Sequence, residues 1–78
     1  MMELYFYEDC EYSQIVLNTI YKLKIQDKFS FKDIRLNPDY AEELEDLTGN
    51  ITVPCLVNEE FSMKEARDIR KYLVSHFT

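Results

Sequence analysis

Thiols are the sharpest chemistry open to this chain, which has two cysteines, Cys10 and Cys55, and a single histidine, His76. Two cysteines are too few to staple a scaffold, and with one histidine they fall short of the four ligands of a structural zinc site, so no metal is expected. Glu42, Glu43, Glu45 and Asp46 read as a solvated helix face. Cys10 is the better nucleophile. It stands at the first turn of a helix, where unpaired backbone N–H groups and the helix dipole favour a thiolate. A lone cysteine can also be a small buried hydrophobe, but Glu8, Asp9 and Glu11 flank this one. Burying them would be costly, so an accessible, reactive thiol is expected. Cys55 follows a proline in an apolar segment and reads as packing. His76 lies near a helix end, where a cation is mildly favoured, and has no assigned chemistry.

The charges around Cys10 also work against it. A carboxylate about 6 Å from the sulfur would oppose the thiolate by about 0.7 to 3 kcal/mol, and the helix terminus offers about 0.3 to 2 kcal/mol the other way. The two nearly cancel, so a strongly acidic thiol is not expected.

Elements must hold that cysteine in place. Met2 to Tyr7 is aromatic-rich and almost uniformly apolar, the pattern of a strand covered on both faces. Val16, Ile20 and Leu23, with Tyr12, Ile15 and Leu17 nearby, predict a helix from about Glu11 to Lys24. Phe29 to Lys32 alternates with period two toward Ile34, a strand with one wetter face. Asn37-Pro38 starts a second helix and Gly49 ends it, giving a span from Pro38 to Thr48 with Ala41, Leu44 and Leu47 as its apolar stripe. Val53 to Val57 is a buried strand interrupted by Pro54, followed by a turn at Asn58-Glu59-Glu60 and a short edge strand at Phe61 to Met63. Ala66, Ile69, Leu73 and Phe77 form one face of a last helix, with Arg67, Asp68, Arg70 and Lys71 toward water, and Ser62-x-x-Glu65 fits a capping box ahead of it.

The order strand, helix, strand, helix, strand, strand, helix predicts an α/β fold with a four-stranded mixed sheet, its first and third strands central. There are no repeats or linkers, so residues 1–78 read as one domain. A net charge of -6 with scattered basic residues argues against a nucleic-acid partner. No apolar run approaches the length of a membrane span, and Met1-Met2-Glu3 lacks the basic region of a signal peptide, so no membrane association and a cytoplasmic location are expected.

Cys10-Glu11-Tyr12-Ser13 resembles the glutaredoxin motif Cys-Pro-Tyr-Cys, with Glu11 in place of the proline and Ser13 in place of the second cysteine. Val53-Pro54 resembles that family's cis-proline element. Val53 to Val57, then Met63-Lys64-Glu65-Ala66-Arg67-Asp68-Ile69 with Tyr72-Leu73, resembles the glutathione transferase amino-terminal variant of the same fold. The resemblance covers nearly the whole chain. It implies a thioredoxin-like (glutaredoxin) fold, a cis Val53–Pro54 bond, and a glutathione-dependent thiol–disulfide oxidoreductase acting through Cys10 alone. Glutathione would be the co-substrate, and glutathionylated or disulfide-bearing proteins the partners. Tyr12 would line the groove, the main chain of Val53 ahead of Pro54 would pair with the cysteinyl part of glutathione, and Glu65 and Ala66 would meet its γ-glutamyl end.

Several positions depart from the family. Ala66 stands where serine is usual, the glycine-rich turn is replaced by Asn58-Glu59-Glu60, and Tyr7, Glu8 and Asp9 occupy the place of a lysine before the cysteine. Arg35 and Lys32 are the nearest replacements for that lysine. Single-cysteine relatives that carry iron–sulfur clusters usually have Cys-Gly-Phe-Ser, which Glu11 and Tyr12 do not match. Ser13, Ala66 and the acidic surroundings of Cys10 leave a second reading open, a weakly catalytic module that binds glutathione or a protein partner.

Overall fold

The apolar opening of the chain becomes an interior strand because both its faces are covered. The computed structural model describes residues 1–78, with β1 at Met2–Phe6, α1 at Glu11–Leu23, a 3-10 turn at Gln26–Lys28 and β2 at Phe29–Asp33. α2 follows at Pro38–Thr48, β3 at Cys55–Val57, β4 at Ser62–Met63 and α3 at Ala66–Phe77. The sheet order is β2-β1-β3-β4. β1 runs parallel to β2, Met2 opposite Phe29 and Phe6 opposite Asp33, so α1 is a crossover connection. β3 lies antiparallel to β1 with Leu4 opposite Leu56, and β4 closes the edge against β3. The first and third strands are central, as the sequence predicts.

Strand alternation divides the core. Leu4, Phe6 and Leu56 point to the face covered by α1 and α3, where they join Val16, Ile20, Ile69 and Leu73 in a cluster of 11 buried residues. Tyr5 and Cys55 point the other way and meet Leu44 of α2 in a cluster of 3. α2 buries less than its sequence suggests: Leu47, expected in the apolar stripe, is 55% exposed, and Leu44 is its one buried residue. Glu43, expected on the solvated face, accepts hydrogen bonds from the Tyr5 hydroxyl and the Lys32 ammonium. Lys32 also pairs with Glu3 at 2.8 Å. The helix therefore turns a carboxylate toward the sheet beside its single buried leucine.

Helix ends follow local chemistry in two cases of three. Asn37 Oδ1 accepts from the Asp39 amide at 3.0 Å ahead of α2, and Gly49, at φ 88°, ends it in the left-handed conformation that lacks a Cβ penalty. Cys10 itself caps α1. α3 departs from expectation: Ser62 is held in the β4 ladder opposite Val57, so the Ser62–Glu65 capping box does not form and no side chain caps the helix. β3 begins at Cys55 and not at Val53, because Pro54 has no N–H to give a ladder. No helix is long and apolar enough to cross a membrane.

Candidate functional site

Cys10 is where β1 hands over to α1. Its backbone N–H donates to Tyr7 O at 3.2 Å, closing a tight turn, and its sulfur accepts from the Ser13 N–H at 3.4 Å in the place where serine or aspartate oxygens usually cap. The expected accessible thiol is instead nearly buried, at 9% exposure. The charge argument fails because the turn separates Cys10 from its neighbours: Glu8, Asp9 and Glu11 all remain in water while Cys10 faces inward.

The balance of forces on the sulfur also differs from the sequence estimate. Burial pushes the thiol up, but the donors around the sulfur, which are the Ser13 hydroxyl, the Ser13 and Tyr12 amides and the Tyr7 hydroxyl, favour the thiolate and outweigh it, so its pKa lies below the ordinary 9.0. The nearby carboxylates do not enter. Asp9 has a side chain 90% exposed, where water screens it, and the Arg35 guanidinium lies 3.9 Å from it. Ser13 is fully buried and its Oγ has no formed hydrogen bond to any other group, so its hydroxyl is free to turn to the sulfur as charge develops there. Cys55, fully buried, is the contrast: burial pushes its thiol up, and the Lys64 charge and the Met63 amide offset that only in part.

Tyr7 and Arg35 form the rim. The guanidinium of Arg35 sits 3.7 Å from the centroid of the Tyr7 ring, a cation–π stack, and the Asp33 carboxylate fixes the turn behind it by accepting from the Arg35 amide at 2.9 Å and the Leu36 amide at 3.2 Å. Of the two cations named from sequence as substitutes for a lysine before Cys10, Arg35 is beside the site. Lys32 is committed to Glu3 and Glu43 at the α2 side of the sheet.

The other five residues singled out from sequence converge. Tyr12, Val53, Pro54, Glu65 and Ala66, together with Thr52, line one hollow of about 350 Å³. Cys10 is not among its lining residues; it stands two positions before Tyr12 in the chain. The Val53–Pro54 bond is cis. Val53 precedes β3, and its main-chain N–H and C=O pair with no other backbone group, so they are free to receive an extended ligand. Glu65 holds φ 60°, a left-handed conformation uncommon for a side chain of its size. Ala66 is buried and offers no hydroxyl. No group of three or more metal-ligating side chains comes together.

Sequence reasoning missed Thr52, whose only signal was its place next to Val53, and the donor role of Tyr7, which depends on a turn that sequence does not announce.

Residues 4–78 match the glutathione S-transferase N-terminal domain. The chain belongs to that family. Solved structures agree on the fold: an epsilon-class glutathione S-transferase from the housefly, Musca domestica, superposes with a TM-score of 0.79 at 24% identity, over 99% of this chain and 35% of that one. Human glutathione S-transferase T1-1 in its apo form gives 0.83 at 20% identity, over 99% of this chain and 32% of that one. A glutathione transferase homologue from Drosophila mojavensis with bound glutathione gives 0.80 at 23% identity, over 97% and 35%. This chain thus spans about a third of each relative's length. No curated protein matches it. The glutathione S-transferase N-terminal domain has the thioredoxin-like architecture expected from sequence, here with its four-stranded mixed sheet.

Proposed function

We propose that this glutathione S-transferase N-terminal-type domain binds glutathione in the hollow beside Tyr12 and that Cys10 carries out glutathione-dependent thiol–disulfide exchange, in the manner of a single-cysteine glutaredoxin. The observation that carries the reading is the hydrogen-bonded, acidified sulfur of Cys10 at the start of α1, two residues ahead of Tyr12, which lines a hollow with Val53, Pro54, Glu65 and Ala66. The unpaired main chain of Val53 suits the cysteinyl part of glutathione, and the uncapped start of α3 at Glu65 and Ala66 suits its γ-glutamyl carboxylate. The Drosophila mojavensis homologue is described with glutathione bound, which supports the same ligand.

In the exchange, the Cys10 thiolate attacks the glutathione sulfur of a glutathionylated protein, forming a Cys10–glutathione disulfide and expelling the protein thiolate, which takes a proton from water. A second glutathione thiolate then attacks that disulfide, giving oxidised glutathione and regenerating the Cys10 thiolate. Ser13 has no thiol with which to resolve the intermediate, so free glutathione must do so. Residues 1–78 act here as one glutaredoxin-like domain in a reducing compartment such as the cytoplasm, with glutathionylated or disulfide-bearing proteins as partners.

Treatment with oxidised glutathione followed by mass spectrometry tests the reading. Wild type and Cys55→Ser should take up one glutathione, and Cys10→Ser none; an adduct that persists in Cys10→Ser and vanishes in Cys55→Ser sinks the assignment. The near-burial of Cys10 and the missing hydroxyl at Ala66 favour a second reading, a domain that binds glutathione without turnover. Calorimetric binding to wild type with no adduct and no turnover of a glutathionylated peptide would select it.

A further inference from the structure

Beside the sulfur of Cys10 lies a donor that the resting fold leaves unused. The sulfur accepts from the Ser13 N–H at 3.4 Å, the contact that caps α1. The hydroxyl of the same residue is fully buried and forms no hydrogen bond to any other group. A buried hydroxyl without a partner is costly to keep, so its presence calls for an acceptor that arrives later. The sulfur is the one reactive atom within its reach, and an oxygen added to that sulfur would supply the acceptor.

Access and charge narrow what can add it. Cys10 is nearly buried and lies outside the lining of the hollow beside Tyr12, so only a small part of its surface meets solvent. Glu8, Asp9 and Glu11 flank it and are exposed. A bulky or anionic reagent is opposed by both features, whereas a small uncharged one is opposed by neither. No second thiol stands ready to consume an oxidised sulfur. Both cysteines are free thiols, Ser13 occupies the place of a resolving cysteine, and Cys55 is sealed with Tyr5 and Leu44 on the α2 side of the sheet.

We propose that Cys10 is a sulfenylation site for hydrogen peroxide, and that the Ser13 hydroxyl donates to the oxygen added to its sulfur. The Cys10 thiolate attacks one peroxide oxygen. The S–O bond forms as the O–O bond breaks, the sulfur is oxidised by two electrons, and the departing hydroxide takes a proton from water. The product, Cys10–S–OH, is held by the Ser13 hydroxyl, which draws electron density from it and slows attack on a second peroxide. The inference rests on the reading of Cys10 as the reactive thiol, but this step needs no glutathione. With glutathione in the hollow, its thiol condenses with Cys10–S–OH to give the Cys10–glutathione disulfide and water, so the site would reduce peroxide at the expense of glutathione.

The reduced full chain is treated with hydrogen peroxide, and the sulfenic acid is trapped with dimedone and located by peptide mapping and mass spectrometry. Wild type and Cys55→Ser should take up one dimedone on Cys10, and Cys10→Ser none. Cumene hydroperoxide, bulky and uncharged, should react with Cys10 at least about tenfold more slowly than hydrogen peroxide, after scaling by the rates of both with a free small thiol. In Ser13→Ala the lifetime of the trappable sulfenic acid should fall about tenfold, the worth of one hydrogen bond to a charged group, with sulfinic acid taking its place. Circular dichroism of the variants should match wild type. A wild-type chain that gives no adduct on Cys10 overturns the proposal, as does an equal scaled rate for the two peroxides or an unchanged lifetime in Ser13→Ala. Uptake from oxidised glutathione is read separately: its loss with sulfenylation intact strikes the exchange reading alone, and the reverse strikes this one alone.

Discussion

The two faces of the sheet are stabilised by different means. The α1–α3 face encloses 11 buried residues, all apolar, while the α2 face has only Tyr5, Leu44 and Cys55, closed at one side by Glu43, Lys32 and Glu3. One face is held by area removed from water, the other by a few contacts and a polar network that water reaches. The cysteines differ with their surroundings: Cys10 caps a helix and is acidified by hydrogen bonds, whereas Cys55 is sealed in the small cluster and made less acidic by burial.

The largest effect that could break this comparison comes from emptying each core in turn. Ile20→Ala, in the large cluster, should cost about 3 to 5 kcal/mol, a major part of the stability of a domain this small, and Leu44→Ala about 2 to 3 kcal/mol because half-exposed neighbours can close over the gap. Urea denaturation of both variants measures the difference. Equal losses would show that the faces are energetically alike.

A smaller effect sharpens the polar side. The hydrogen bonds from Lys32 and Tyr5 hold the Glu43 carboxyl below its ordinary 4.5, so its contribution to stability is present above that pH and is lost as pH falls through the depressed folded value. Hydrogen exchange by α2 amides should therefore accelerate in acid ahead of that by α1 amides. Lys32 is pushed the other way: burial lowers its pKa, but Glu3 and Glu43 raise it above 10.5, so its contribution persists to that pH and fades as pH rises beyond. Lys32→Met should cost about 1 kcal/mol, given that both carboxylates are partly exposed, and should flatten the acid dependence of α2.

The smallest change concerns the thiols. Iodoacetamide should modify Cys10 at pH values below 9.0 while Cys55 stays silent until the chain unfolds, and a rate profile against pH reads both. Ser13→Ala should move the Cys10 profile up toward 9.0 with little loss of stability, because the hydroxyl it removes has no formed hydrogen bond in the fold. A profile unchanged by that substitution would assign the acidity to the backbone amides and Tyr7 alone.

What the sequence by itself determined is what neighbours along the chain decide. Apolar patterning marks β1, β2, β3 and the three α-helices, though not the 3-10 turn at Gln26–Lys28; Asn37-Pro38 and Gly49 mark the bounds of α2, and Cys10 falls at a helix start because a break between strand and helix patterns is a local event. Continuous apolar runs also identified β1 and β3 as central, since only strands covered on both faces can afford them. Tertiary structure alone decided the rest. Glu43 reads as one more surface carboxylate until the sheet brings Tyr5, 38 positions away, into hydrogen-bonding reach. Cys10 reads as exposed among acidic neighbours until the turn at Tyr7 points three carboxylates outward and one sulfur inward. Its acidity follows from Ser13 and Tyr7 because hydrogen-bond donors act over a few ångströms, and which donors fall within that range is fixed by how the end of β1 meets the start of α1.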